Sequence, residues 1–287
     1  MSVDILQEKI RKTKSPVIMD LALQPEHIPA HVREGNTDAQ AMDAYCRALL
    51  TALKGKAAGV RFSFDQWALL GQLDMLAELT ALASSLGYYV VLDGPAVLSP
   101  WAAERAAKLL DADSGYVCDG LILSAYIGSD AMKPFAAYCK NGKSVFFVAR
   151  SANKSAAELQ DMMTGSRLVH AAVADHVKRM GEPVMGKCGY SQFGVVTAAT
   201  NANSVSGLRV KFKSVFLLVD GLDYPGGNGK NCSYGFDRFG HGCAISVGPA
   251  ITGAWAEEGC DEKDFAELAV QAAERIRANI GRYVTIL

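Results

Sequence analysis

Eight short apolar runs recur along the chain, each followed by a stretch with helical spacing of its apolar positions, and this alternation limits the possible folds more than any other feature. The strand candidates are Val17–Leu21, Gly59–Phe64, Tyr88–Asp93, Gly120–Ala125, Ser144–Ala149, Phe193–Ala198, Val215–Val219 and Gly242–Ser246. Most are continuous β-branched or aromatic runs, which suits strands of a parallel sheet buried on both faces. Helices are expected over Ala39–Lys54, Phe64–Leu86, Trp101–Leu110, Ala131–Lys140, Ala156–Met180, Asn201–Lys213 and Glu262–Ile280. Gly87 stands where a helix would end in a left-handed residue. Ser99–Pro100–Trp101 reads as an N-cap serine, a proline at the first helical position, and the first turn of a helix. Eight strand–helix units in 287 residues point to an α/β chain closed as a (β/α)8 TIM barrel in one domain over residues 1–287. A doubly wound open sheet is the alternative that periodicity leaves open.

Half of the residues are hydrophobic and the net charge is −1, so a large core is available and no basic stripe invites nucleic acid. The seven cysteines are scattered and form no CxxC pair, as expected for free thiols in a reducing compartment. The first sixteen residues are amphipathic without an apolar signal region, and no apolar run has the length of a membrane span. A cytoplasmic protein without a membrane or nucleic-acid partner, a cofactor or a metal is expected.

In a barrel of this kind, chemistry sits at the C-terminal ends of the strands. Asp20, Asp93, Asp220 and Asp223 fall there, and Arg61 and Arg150 with them. The four acids suit either a hard-cation site or, as the favoured reading, pairing with Arg61 and Arg150 and bonding to loop amides. Like charges about 5 Å apart repel by roughly 3 kcal/mol at an effective dielectric near 20, enough to weaken anion binding about a hundredfold. The glycine-rich segment Asp220–His241 follows the seventh strand, where barrels often hold phosphate. His241 and Cys243, two apart and close to Cys232, offer a thiol–imidazole pair, with packed thiols and a loop histidine as the preferred reading.

Several ordered stretches resemble the bacterial orotidine 5′-phosphate decarboxylases. They are the opening helix and first strand through Pro29, LILSAYIGSDAMKPF (Leu121–Phe135), FFVARSANKSAAELQD (Phe146–Asp161), YSQFGVVTAAT (Tyr190–Thr200), LLVDGLDYPGG (Leu217–Gly227) and GCAISVGPAI (Gly242–Ile251). The resemblance implies the barrel and a homodimer with its sites near the subunit interface. It also implies a lysine–aspartate network after strands two and three, in which a central lysine protonates the carbon that loses carboxylate.

This chain departs from that pattern. Asp93 is kept and Arg61 takes the first lysine position, but the catalytic lysine falls on Pro95 and the interface aspartate on Leu98. The ribose-contacting acid falls on Ala22, the base-reading serine on Ala152, the glutamine before the paired glycines on Pro225 and the phosphate arginine on Pro249. Proton donation needs an ionisable group within reach of the reacting carbon, and proline and leucine offer none. The resemblance gives Asp93 and Arg61 as catalytic positions. As ligand-binding positions it gives Asp20, Ser124, Tyr126, Arg150, Asn153, Thr197, Asp220, Gly226, Gly227 and Gly248. The expected partners are a nucleotide or other small anion, and a second copy or an intact paralogue.

Overall fold

The computed structural model describes residues 2–257 and 260–286. Eight parallel strands close into a barrel in chain order: β1 (Val17–Asp20), β2 (Gly59–Ser63), β3 (Tyr89–Asp93), β4 (Gly120–Ser124), β5 (Ser144–Val148), β6 (Phe193–Ala198), β7 (Leu217–Asp220) and β8 (Cys243–Val247). β8 returns to β1, with Val17 opposite Ile245. The expected strands are all present within two residues of their anticipated ends, and closure excludes the open sheet.

Period-two alternation sorts the strand residues into two cores. Val17, Met19, Val60, Phe62, Val90, Leu92, Val195, Val219 and Ile245 face the helical shell. Ile18, Tyr89, Val91, Ile122, Phe146, Leu218 and Ala244 fill the barrel interior. Helix α1 (Ser2–Thr13) lays Val3, Leu6 and Ile10 on that interior column. Ser2 anchors it there, through an Oγ 2.6 Å from the Tyr89 hydroxyl. The lower end of the barrel is thereby closed by the chain's own first helix.

The shell helices follow from local chemistry. Thr37 and Gln40 form a reciprocal capping box that starts α2 (Asp38–Ala52). The expected helix over 64–86 is two, Phe64–Leu69 and α3 (Leu73–Ser85), because Gly71 sits at φ +67° between them. α3 ends before Gly87 at φ +94°, as its position foretold. Ser99 Oγ accepts the Ala102 amide at 3.1 Å and Pro100 opens α4 (Pro100–Ala107). The segment after β3 is thus an ordinary capped strand–helix connection.

Two further expected helices are corrected. Ala156–Met180 is not continuous: a 3-10 turn over Lys154–Glu158 leads into an antiparallel pair, Met163–Thr164 with Arg167–Leu168, and only then into α5 (Val169–Gly181). Gly165 at φ +65° makes the turn of that hairpin, which the apolar spacing alone could not signal. Ala131–Lys140 is likewise shorter: its first half is 3-10 turns, and only Ala136–Lys140 is α-helix. α6 (Ala202–Lys211) and α7 (Phe265–Gly281) complete the shell. No helix among the described residues is long and apolar enough to cross a membrane.

Candidate active site at the barrel mouth

The same alternation that fills the interior places Asp20, Arg61, Asp93, Ser124, Asp220 and Ser246 on inward positions of the upper layer. Arg61 lies at its centre. One guanidinium nitrogen is 3.1 Å from Asp20, its neighbour across the β1–β2 ladder, and 3.3 Å from Asp220 on the far side of the mouth. That nitrogen also donates to Ser246 Oγ at 3.2 Å, and the second nitrogen pairs with Asp93. Three of the four aspartates therefore share one cation. The fourth, Asp223, lies apart: one oxygen accepts the amides of Gly248 at 3.0 Å and Ala250 at 3.3 Å.

The charge balance is negative, three carboxylates to one guanidinium. Its consequences oppose each other at the two partners. The three carboxylates more than offset the cost of burying Arg61 and hold its pKa above the ordinary range. Asp20 is raised to about 6 from 3.8, first by desolvation, and by Asp220 and Asp93 against the pull of Arg61. The Arg61 shift follows from three anions around one cation, and the Asp20 shift from burial first and from its two acidic neighbours after it. Because the folded state binds the Asp20 proton more tightly than the unfolded chain, its ionisation costs stability as pH rises from about 4 to 6. Asp20→Asn should therefore gain on the wild type by about 2 kcal/mol between pH 4.5 and 7.5. Urea midpoints of both proteins at the two pH values measure this; a difference that does not change with pH would refute it.

Two cavities open beside this cluster. One, of about 460 Å³, is lined by Asp20, Arg61, Asp220, Asp223 and Gly248, with Gln24 and His27 at its rim. The other, of about 370 Å³, is lined by Arg150, Asn153, Lys154 and Thr200. Tyr224 and Pro225 line both and form the ridge between them. Gly227 shapes this ridge, since a Cβ there would lie 1.9 Å from the Gly221 carbonyl oxygen. Gly226 takes φ +92° beside it.

Arg150 does not pair with the four aspartates. It is buried, and its guanidinium grips Asp161 at 3.0 Å and donates to the Ser151 carbonyl and Thr200. Asp161 in turn meets His170 Nδ1 at 3.1 Å, and Arg150 leads the causes that hold its carboxyl below the ordinary range. Asp161 and His170 carried no role in the sequence reading. The one signal was Asp161 at the end of the Phe146–Asp161 stretch.

Of the other expected ligand positions, Asn153 lines the second cavity and bonds to Ser151. Ser124 takes an inward position, and the Tyr126 hydroxyl donates to the Ala149 carbonyl. Thr197 is corrected: it shares the parity of Phe193 and Val195, faces the shell, and pairs with Ser204 of α6 at 3.0 Å, fully buried. It reaches neither cavity. Cys243 shares the shell-facing parity of Ile245, and burial pushes its thiol pKa up. Burial likewise pushes Cys232 up to about 12. Neither is a thiolate near neutral pH.

Pro95 lies elsewhere, in an apolar groove of about 380 Å³ with Phe64, Trp101 and Arg105. Leu98 is 82% and Trp101 64% exposed, so neither plugs the mouth. The Arg105 guanidinium stacks 4.5 Å from the Trp101 ring centroid. Lys154, exposed at the rim of the second cavity, is the one lysine among the residues lining the two mouth cavities.

Comparison with known proteins supports the family reading. An orotidine 5′-phosphate decarboxylase of Clostridium kluyveri is 27% identical, covering 98% of this chain and 97% of its own. The chain resembles the orotidine 5′-phosphate decarboxylases nearly end to end. A second, from Rhodopirellula baltica, is 26% identical over 93% of this chain and 94% of its own. Among solved structures, a putative orotidine-monophosphate-decarboxylase of Toxoplasma gondii superposes with a TM-score of 0.78 at 19% identity, covering 97% of this chain and 98% of its own. A putative orotidine 5′-phosphate decarboxylase of Streptomyces avermitilis gives 0.76 at 20% identity, covering 98% of this chain and 96% of its own. These two establish the shared barrel. No protein-family model matches the chain.

Proposed function

We propose that this chain is an orotidine 5′-phosphate decarboxylase relative that no longer decarboxylates, and that it serves as a binding, regulatory or assembly subunit. One observation carries the reading. The mouth centres on a guanidinium held by three aspartates, with no ammonium among the inward residues of that cluster, and the position at which the resemblance expects the proton-donating lysine is Pro95 in a separate apolar groove. A guanidinium with so many carboxylate partners keeps its proton and is a poor acid.

The ligand side supports the same reading. A nucleotide phosphate entering the larger cavity meets Asp20, Asp220 and Asp223 with Arg61 as its single lining arginine. Nucleotide binding is therefore expected to be weak.

The test is a direct ultraviolet assay of orotidine 5′-monophosphate decarboxylation on the purified protein. No turnover above the uncatalysed rate is expected. A second reading, an active enzyme with a rewired site, is favoured by Lys154 alone. Turnover that disappears in Lys154→Ala would establish it and overturn the first. The subunit role calls for a pairing surface, and exposed Leu98 and Trp101, in the loop and first turn after β3, suit one. Size-exclusion and capture with an intact decarboxylase of the same host test whether the chain pairs with itself or with that paralogue.

A further inference from the structure

The geometry points to Asp223 as a built-in anion that closes the barrel mouth to phosphate-bearing ligands. This rests on the reading above that the mouth has turned away from nucleotides, and goes beyond it by naming the residue that enforces exclusion.

Loops after the seventh and eighth strands of such barrels commonly bind phosphate through backbone amides. Here those two loops are tied to each other. Asp223, three residues past β7, directs one carboxylate oxygen at the amides of Gly248 and Ala250, which follow β8, at 3.0 and 3.3 Å. The residue between them is Pro249, which has no amide to offer. The donors of that turn are thus either occupied by an internal carboxylate or missing. The neighbours reinforce the effect: Asp20 and Asp220 line the same cavity as Asp223, and Arg61 is already held by both. An incoming phosphate must displace one carboxylate and then sit beside two more.

Two features separate this from an incidental loop contact. The carboxylate bridges two different strand–helix connections rather than capping its own turn. It also lines the cavity it closes and is not buried beneath it.

The experiment measures binding of uridine 5′-monophosphate and of inorganic phosphate to the full chain by calorimetry at fixed ionic strength. Wild type, Asp223→Ala and Asp223→Asn are compared. Asparagine keeps an acceptor oxygen for the two amides and removes only the charge; melting temperatures show that each variant is folded. The wild type is expected to bind neither probe at millimolar concentration. Asp223→Ala should bind both at least tenfold more tightly, and Asp223→Asn should gain less. A folded Asp223→Asn or Asp223→Ala no better than wild type overturns the inference, as does wild-type affinity equal to that of the variants. The decarboxylation assay is independent of these outcomes: turnover with unchanged binding would sink the functional reading, and silence in both would sink only the role of Asp223.

Discussion

Arg61→Met is expected to destabilise the protein by about 3 kcal/mol at pH 7.5, a loss that shrinks as the solution is acidified. The substitution keeps most of the side-chain volume and removes the charge. Asp20, Asp93 and Asp220 then face one another across the mouth without the cation that now joins them. Breaking a largely buried ion cluster by removing one partner costs more than the cluster contributes, because uncompensated charges remain behind. Arg61 is only 13% exposed, so water cannot replace it fully. The sign with pH follows from the carboxylates. Without Arg61 their folded-state pKa values rise, so the folded variant takes up protons before the unfolded chain does, and stability lost at neutral pH returns as pH falls. Urea unfolding at pH 7.5 and pH 5 would show this as a narrowing gap from wild type. A pH-independent gap would mean that Arg61 acts by packing alone. Adding Asp93→Asn to Arg61→Met should restore part of the loss, since the residues are in contact and their effects are not additive.

The second large effect is expected at Arg209, on α6. Its guanidinium is buried and forms no ion pair with a carboxylate among the described residues; it donates instead to five carbonyl oxygens. Three belong to Phe212, Lys213 and Val215 before β7, and two to Gly235 and Gly242 before β8, at 2.6–3.4 Å. Tyr190 lies 5.4 Å beneath as a ring surface. Desolvation holds the Arg209 pKa below its ordinary value, a sign that hydrogen bonds to neutral oxygens have replaced an ion pair. Arg209→Met removes this donor from all five carbonyls and leaves those of Phe212 and Gly242 only the amides of Val215 and Leu217, at a cost of about 4 kcal/mol. Arg209→Lys should recover less than half of this, because three donors on a flexible stem cannot reproduce a five-donor fork. Thermal and urea unfolding measure both. A loss below about 1 kcal/mol in Arg209→Met would show that water reaches the carbonyls. Since these contacts fasten both ends of the Asp220–His241 segment, limited proteolysis of the variant should cut within that segment first.

The sequence exposed the strands because they are buried on both faces, and continuous runs such as Val145–Val148 leave little ambiguity. The positions of the mouth acids at strand ends were legible, but their parity was not, since doubly buried runs carry no alternation. Asp20, Asp93 and Asp220 each end a strand, and the barrel shows that all three fall on the inward parity. The expectation at Thr197 came from the resemblance, and the parity of β6 turns that residue to the shell instead. The helix expected over 156–180 failed because a hairpin pivoting on Gly165 interrupts its apolar spacing. What the sequence could not show is convergence across the mouth. Arg61 and Asp220 meet only because the sheet closes, and Arg150 found Asp161 in its own following loop before any of the four acids.

The meeting of the first and last strands bears on how this molecule must be made. Val17 finds its partner in Ile245, and until that pairing forms, both edges of an eight-stranded parallel sheet stand open. A nascent chain therefore cannot complete its hydrogen-bond network until it has left the ribosome as far as β8. With contacts so distant along the chain, closure should be slow. Truncation before Cys243 should yield sticky aggregates instead of a smaller folded barrel.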